Sequence, residues 1–265
     1  MLLQCLISTT YNRYLNATSL AEDIFRNCGI TSVICCQTFD APTNIHPESF
    51  STEAYSLHFS DTKGLSISRN ILLSLSKGHF SWILDDDVSP CFTGIRNLLS
   101  FLEANLDIAA LSCKFTDVDG VSRKNYKNHM FEHGIFSVMK VSSIELILNS
   151  RFLCESSITF DENFGLGAKY PSGEENILLS DIVRKRGLIK FYPEVICFHP
   201  LVTSASVKFD QKSWKARGAL MRRVFGAFGL LFFVPFFLRR VRAGQTSFSN
   251  IFSAISNMVT GFFYR

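Results

Sequence analysis

The chain has 265 residues, 47% of them apolar and 19% charged, which excludes a disordered chain and suits one large domain or a domain with an appendage. Its net charge of +4 is unevenly spread, because nine of the 27 Lys and Arg and none of the 23 Asp and Glu follow Asp210. Residues 1–210 therefore carry a formal −5 and residues 211–265 a formal +9, which divides the chain into a head and a basic tail that suits an anionic surface.

Leu2 to Ser8 is a short apolar run that reads as a buried strand. No basic leader followed by a long apolar stretch occurs at this end, so no signal peptide is expected. The polar turn Thr10-Tyr11-Asn12-Arg13 comes next, then a helix from Leu15 to Phe25 and a β-branched run from Thr31 to Cys36. Strand, helix and strand in that order predict a parallel sheet. Phe39 to Ser56, with Pro42 and Pro47, reads as a loop. Leu65, Ile67, Ile71, Leu72 and Leu75 recur at helical spacing, with Lys77-Gly78 as the C-cap. His79 to Leu84 is the next strand, and Pro90 and Gly94 open a helix to about Asn105. Ile108 to Phe115 and Phe136 to Lys140 read as strands, and Ser142 to Leu148 as a helix. Glu174 to Arg186 is helical and Ile189 to Cys197 returns to strand.

Eight Cys residues are scattered without a C-x-x-C pair, which argues against a zinc ribbon or a thioredoxin-like site. Most lie in apolar runs and read as buried thiols, and a reducing, cytoplasmic setting is expected.

Asp85-Asp86-Asp87 directly follows the apolar strand Ser81-Trp82-Ile83-Leu84. Ligands of open α/β sheets bind outside the carboxyl ends of strands, and adjacent carboxylates there call for a cation. Mg²⁺ and Mn²⁺ take oxygen ligands and bridge to substrate phosphates. The triplet is thus either a metal-diphosphate site or a solvated acidic turn that caps the next helix.

The surrounding residues add context. Lys63-Gly64-Leu65-Ser66-Ile67-Ser68-Arg69-Asn70, Lys77-Gly78-His79-Phe80 and Leu84-Asp85-Asp86-Asp87 stand in that order. Phe160-Asp161-Glu162-Asn163-Phe164-Gly165, Gly173-Glu174-Glu175, Pro193-Glu194-Val195 and His199 follow. Over roughly residues 2 to 200 this series resembles the family 2 glycosyltransferases of bacterial surface-polysaccharide type. The resemblance implies the GT-A fold: an α/β, Rossmann-like, mixed but mainly parallel sheet flanked by helices, here with a helical tail behind it. It also implies metal-dependent, inverting transfer of a hexosyl or deoxyhexosyl group. The donor would be a nucleotide-sugar and the acceptor a hydroxyl of a glycan or lipid-linked saccharide.

The roles follow from the same resemblance. Asp87, with Asp86 as alternate and His199 beside them, would hold Mn²⁺ or Mg²⁺ on the donor diphosphate. Thr10, Tyr11, Asn12, Arg13, Gln37, Lys63 and Gly64 would line the nucleotide-sugar, with Asp85 on the nucleotide side. Arg69 would position the diphosphate or brace the Asp cluster. Glu175 is the first choice for the base and Glu174 the second. Two acids there also suit a helix N-terminus. The chain departs from the family where Glu175 replaces an Asp, and where Gln37 ends the second strand in place of an acidic residue.

In the tail, Val224 to Leu238 has no charged residue and is flanked by Arg222-Arg223 and Arg239-Arg240. Fifteen helical residues rise only about 22 Å against a hydrocarbon core of roughly 30 Å, and Pro235 interrupts them. An interfacial segment on an anionic membrane is expected, peripheral on the inner face of the cell membrane. Phe248, Ile251, Phe252, Ile255, Met258, Val259 and Phe262 form a second amphipathic series between Thr246 and Tyr264. A helical pair packed on the catalytic domain, or at an oligomer interface, is the alternative. The Phe-rich composition favours lipid over nucleic acid, and no nucleic-acid partner is expected. Two rival functions are a nucleotidyltransferase, whose Gly-rich basic loop is not visible, and an inactive membrane scaffold, against which the intact Asp triplet and Glu pair argue.

Overall fold

The β-α-β start is present as β1 (Leu3–Thr10), α1 (Tyr14–Cys28) and β2 (Ser32–Gln37), with β1 and β2 parallel. β3 (Phe50–Ser51), β4 (Tyr55–Ser60), α2 (Leu65–Leu75), β5 (Phe80–Asp85), β6 (Ser89–Pro90) and α3 (Phe92–Glu103) follow. β7 (Ala110–Thr116), β8 (Phe131–Glu132), β9 (Leu146–Asn149), α4 (Ser150–Ser156), α5 (Glu174–Arg184) and β10 (Ile189–Phe198) complete the head. The tail forms α6 (Gln211–Phe225), a 3-10 stretch at Gly226–Phe232, α7 (Phe233–Arg242) and α8 (Ile251–Phe263). The structure, a computed structural model, describes residues 1–42, 48–122, 124–200 and 209–263. Pro47 of the expected loop and Tyr264 of the expected tail helix lie outside them.

The sheet runs β3-β4-β2-β1-β5-β9-β7-β10-β6. β4, β2, β1 and β5 are parallel, and β7 and β10 are parallel to each other. β9 is antiparallel to both neighbours, β5 and β7. Alternation along the strands divides the core. Cys5, Ile7, Trp82 and Leu84 pack on α1 and α3 through Ala17, Ile24, Ile95 and Leu98. Leu6, Val33, Cys35 and Ile83 pack on α2 and α5 through Leu72, Leu178 and Ile182. Helices on both faces explain why the central strands read as unbroken apolar runs. Asp85 stands level with Ser8 and Gln37 level with Thr10, so the carboxyl ends of β1, β2 and β5 share one edge.

Four expectations are corrected. Ser142 to Leu148 is not a helix: Ser142 and Glu145 form a capping box around one 3-10 turn, and Leu146-Ile147-Leu148 enter the sheet as β9. A three-residue apolar run has too little periodicity to tell strand from helix. Phe136 to Lys140 is not a strand but ends in a 3-10 turn at Val138–Lys140. The stretch from Phe39 to Ser56 contains β3 and the start of β4. Lys77-Gly78 does not cap α2, which ends at Ser76 in extended backbone; a Cβ on Gly78 would lie 2.6 Å from the Phe80 carbonyl oxygen.

The tail packs on the head and on itself. Ala216, Ala219, Leu220 and Val224 of α6 share a cluster with Phe164, Tyr170 and Ile177. α8 crosses α6 at Gly218 and Gly261, where added Cβ atoms would meet the Met258 and Lys215 carbonyl oxygens at 1.9 Å. By length and composition Gln211–Arg242 would suffice to cross a bilayer. It is not one straight helix, because Gly226 breaks α6 at φ 59° and Gly229 comes back against the Met221 carbonyl. A continuous helix would hold those two residues about 12 Å apart. Pro235 does not cause this break; it lies in the first turn of α7, where its missing N–H is not needed.

Candidate active site

Thr9, Thr10, Asp85, Asp86 and Asp87 come together at the carboxyl ends of β1 and β5 and line a cleft of about 450 Å³. Arg13, Gln37, Phe39, Lys63 and His199 close it, and Gly64, Leu65, Leu166 and Gly167 form the wall above α2. Its position matches the rule for ligands of open α/β sheets.

The three aspartates have three environments. Asp86 is buried, accepts a hydrogen bond from the Thr9 hydroxyl and pairs with the Arg13 guanidinium. Burial pushes its carboxyl up, and Thr9 and Arg13 oppose that shift. Asp87 is 46% exposed, 3.2 Å from Arg13 and 3.3 Å from His199 Nε2. Asp85 lines the same cleft and also accepts from the Arg69 guanidinium at 3.2 Å.

Asp87 and His199 offer one oxygen and one nitrogen ligand at the mouth of the cleft. No group of three metal-ligating side chains occurs among the described residues. Two protein ligands completed by phosphate oxygens and water suit an ion of the Mg²⁺ or Mn²⁺ kind, so the residues fit such a metal in company with a diphosphate.

Arg69 holds the site together. It is 1% exposed, donates to Glu174 at 2.8 Å and to Asp85 at 3.2 Å, and lies 5.6 Å over the Phe160 ring. Its neighbours on α2 hold the same distant segment. Asn70 exchanges hydrogen bonds with the Phe160 backbone, the Ser66 hydroxyl donates to the Phe164 carbonyl, and Leu65 N–H donates to the Leu166 carbonyl at 2.8 Å. The Gly-Leu-Ser-x-x-Arg-Asn pattern thus docks residues 160–167 onto α2.

Glu174 and Glu175 open α5. Glu174 is buried against Arg69, with its second oxygen unpartnered. Glu175 is half-buried; burial, then the charge of Glu174, push its carboxyl up to about 8, against the attraction of Arg69 and Arg217. The two acids differ accordingly, one locked in an ion pair and one poised to change charge.

Other expected residues take supporting places. Tyr11 and Asn12 stand outside the cleft lining, where their backbone N–H groups donate to Asp40. The Gln37 side chain donates to Thr62 and accepts from Gly64 N–H, so it ties β2 to the start of α2. Lys63 stacks on Phe39 at 5.2 Å. Sequence reasoning missed Asp40. Burial pushes its carboxyl up, but hydrogen bonds from Thr10, Tyr11 and Asn12 prevail and hold it below the ordinary value. An acid three residues beyond β2 was the only signal available.

No family model and no curated protein matches the chain. Solved structures do. S. aureus TarS 1-349 superposes with a TM-score of 0.64 at 12% identity, over 99% of this chain and 81% of that one. Its complex with UDP-GlcNAc gives 0.65 at 14% identity, over 99% and 82%. These are GT-A structures. This chain has the GT-A glycosyltransferase fold. The mannosyltransferase PcManGT from Pyrobaculum calidifontis, in complex with GDP-Man and Mn²⁺, superposes with 0.54 at 15% identity, over 98% of this chain and 73% of that one.

A carboxyl raised from 4.5 to about 8 keeps its proton in the native state while the unfolded state loses it. The fold therefore loses stability as pH climbs through that window. Glu175→Gln is expected to flatten the decline of Tm between pH 5 and 8. An equal decline in variant and wild type would show that Glu175 ionises normally.

Proposed function

We propose that the protein transfers a sugar from a nucleoside-diphosphate donor to an acceptor hydroxyl, with inversion at the anomeric carbon. The carrying observation is the cleft at the β1–β5 edge, where Asp86, Asp87 and His199 face Arg13 and Lys63. Acids and cations in one opening suit a diphosphate and its counter-ion. The TarS complex with UDP-GlcNAc and the mannosyltransferase complex with GDP-Man and Mn²⁺ support this choice of donor class.

Arg13 is 47% exposed and can turn from Asp86 and Asp87 onto the donor phosphates, and Lys63 adds a second cation. Asp87 and His199 would hold a divalent ion, whose charge would steady the departing diphosphate. Arg69 is too deeply buried to meet the donor, so it braces Asp85 and Glu174. Glu174 is occupied by that brace, which leaves Glu175 to take the acceptor hydroxyl's proton. Direct attack by that hydroxyl, without a covalent intermediate, inverts the anomeric centre; a product of retained configuration by proton NMR would contradict it.

Thermal unfolding with a panel of nucleoside diphosphates, each with and without Mn²⁺, tests the donor site. A ligand at 100 times its Kd adds about 2.7 kcal/mol to the native state. One nucleotide should raise Tm by several degrees in a metal-dependent way, and Asp87→Ala should abolish the rise. No shift with any nucleotide in a folded sample would favour an inactive scaffold.

We also propose that the tail rests on an anionic bilayer, on the inner face of the cell membrane, beside a glycan or lipid-linked acceptor of surface-polysaccharide synthesis. Phe228 is 75% exposed and Phe252 87%. Phe252, Ser256, Val259 and Phe263 form one exposed, uncharged face of α8, and Arg222, Arg239 and Arg242 stand exposed on the neighbouring helices. An apolar surface accompanied by arginines complements acyl chains under anionic headgroups. Co-sedimentation with phosphatidylglycerol vesicles should fall sharply in the double variant Phe228→Ser, Phe252→Ser, with the far-UV spectrum kept. Unchanged binding by this variant would refute the assigned face.

A further inference from the structure

The tail holds a group of cations that the donor cleft does not use. Arg217 of α6 and Arg240 of α7 approach one aromatic ring, with their guanidinium carbons 5.6 Å and 4.6 Å from the Phe236 centroid. Phe209 packs on Arg240 as well, at 4.9 Å. Neither arginine forms an ion pair among the described residues. Arg240 donates from Nη1 to Gln245 at 2.7 Å, while its Nε is buried without a partner. Arg217 makes no hydrogen bond among the described residues.

Like charges held together in a partly desolvated place are costly unless an anion joins them. Their ionisation shifts in the same sense: burial, then Arg217 and Arg239, lower Arg240 to about 10. Burial also lowers Arg217, against the pull of Glu175 and Glu174. Leu220, one turn after Arg217 on α6, packs against Gly173 at the start of α5, whereas none of the three arginines lines the donor cleft. The planar fork of guanidinium matches the tetrahedral oxygens of phosphate.

We infer that Arg217 and Arg240, with exposed Arg239 at the rim, bind a phosphate group carried by the acceptor. The word acceptor rests on the proposed transfer reaction; the anion site itself does not. Such a group would anchor the acceptor on the Glu175 side and leave the donor cleft free.

The chain contains its own reporter. Trp214, one of only two Trp, lies 4.7 Å from Phe209 and 6.1 Å from Phe236, while Trp82 is buried in the sheet core. Trp fluorescence of the full chain is titrated with inorganic phosphate, glycerol 1-phosphate and phosphatidylglycerol vesicles, against sodium chloride of equal ionic strength. A saturable change is expected, absent in Trp214→Phe and about 10-fold weaker or more in Arg217→Gln and Arg240→Gln, as loss of a charged hydrogen bond implies. Arg242→Gln should leave it unchanged. Should Arg240→Gln disturb the tail by circular dichroism, Arg217→Gln, which breaks no hydrogen bond, carries the test. Saturation by glycerol 1-phosphate assigns a soluble phosphate compound, and a response confined to vesicles assigns a lipid headgroup; either upholds the site. No saturable response, or one equal in wild type and both variants, overturns it. No nucleotide-sugar enters the titration, so its failure leaves the donor assignment standing, and failure of the nucleotide panel leaves this site standing.

Discussion

A single buried guanidinium organises the head. Arg69 reaches from α2 to Asp85 at the end of β5 and to Glu174 at the start of α5, which are 16 and 105 residues away in the chain. Breaking one partner from a buried ion pair commonly costs about 3–5 kcal/mol, because the other charge stays behind unpaired. Here both partners also adjoin the other acids of the site. Asp85 sets where Asp86 and Asp87 emerge, and Glu174 sets the first turn of α5 from which Glu175 projects. Ser66 and Asn70 extend the same helix's grip to residues 160–167, so the cleft wall and its floor are fixed by one face of α2.

Neighbouring acids of identical chemistry are thereby given different work. Asp85 is an anchor, Asp86 a buried partner of Thr9 and Arg13, and Asp87 the exposed carboxylate that meets His199. The Glu pair divides in the same way: the member paired with Arg69 is spent on structure, and its neighbour is raised toward neutral pH. Environment, more than residue type, separates the braced acids from the exposed or raised ones.

Much of this was legible in the chain. The β-α-β start, the strand before the Asp triplet and the helix after Gly173 follow from periodicity and from acids placed after strands. Lys63, Gly64 and Leu65 line one cleft with Asp85 to Asp87, and Arg69 of the same motif pairs with Asp85. What stayed hidden depends on distance or on short segments. The Arg69–Glu174 pair spans 105 residues, and a charge pair at that separation leaves no local pattern. β9 is only four residues long, and its Ser142–Glu145 capping box mimics the start of a helix. Pro235 misled because a proline breaks a helix only beyond its first turn, and the break falls at Gly226 instead.

The tail and the head meet where α6 covers Phe164, Tyr170 and Ile177, close to the Glu pair. The Glu pair and the basic helices are therefore neighbours, which gives the charge split of the sequence a structural counterpart. The central claim is sugar transfer from a nucleotide donor. Its most direct test is release of nucleoside diphosphate from a panel of nucleotide-sugars by the purified full chain. Turnover of one donor, reduced by about 100-fold or more in Glu175→Gln as expected for loss of a general base, is the result the account predicts. Intact donors throughout, in a folded protein supplied with Mn²⁺ and acceptor glycan, or turnover indifferent to Glu175→Gln, would contradict it.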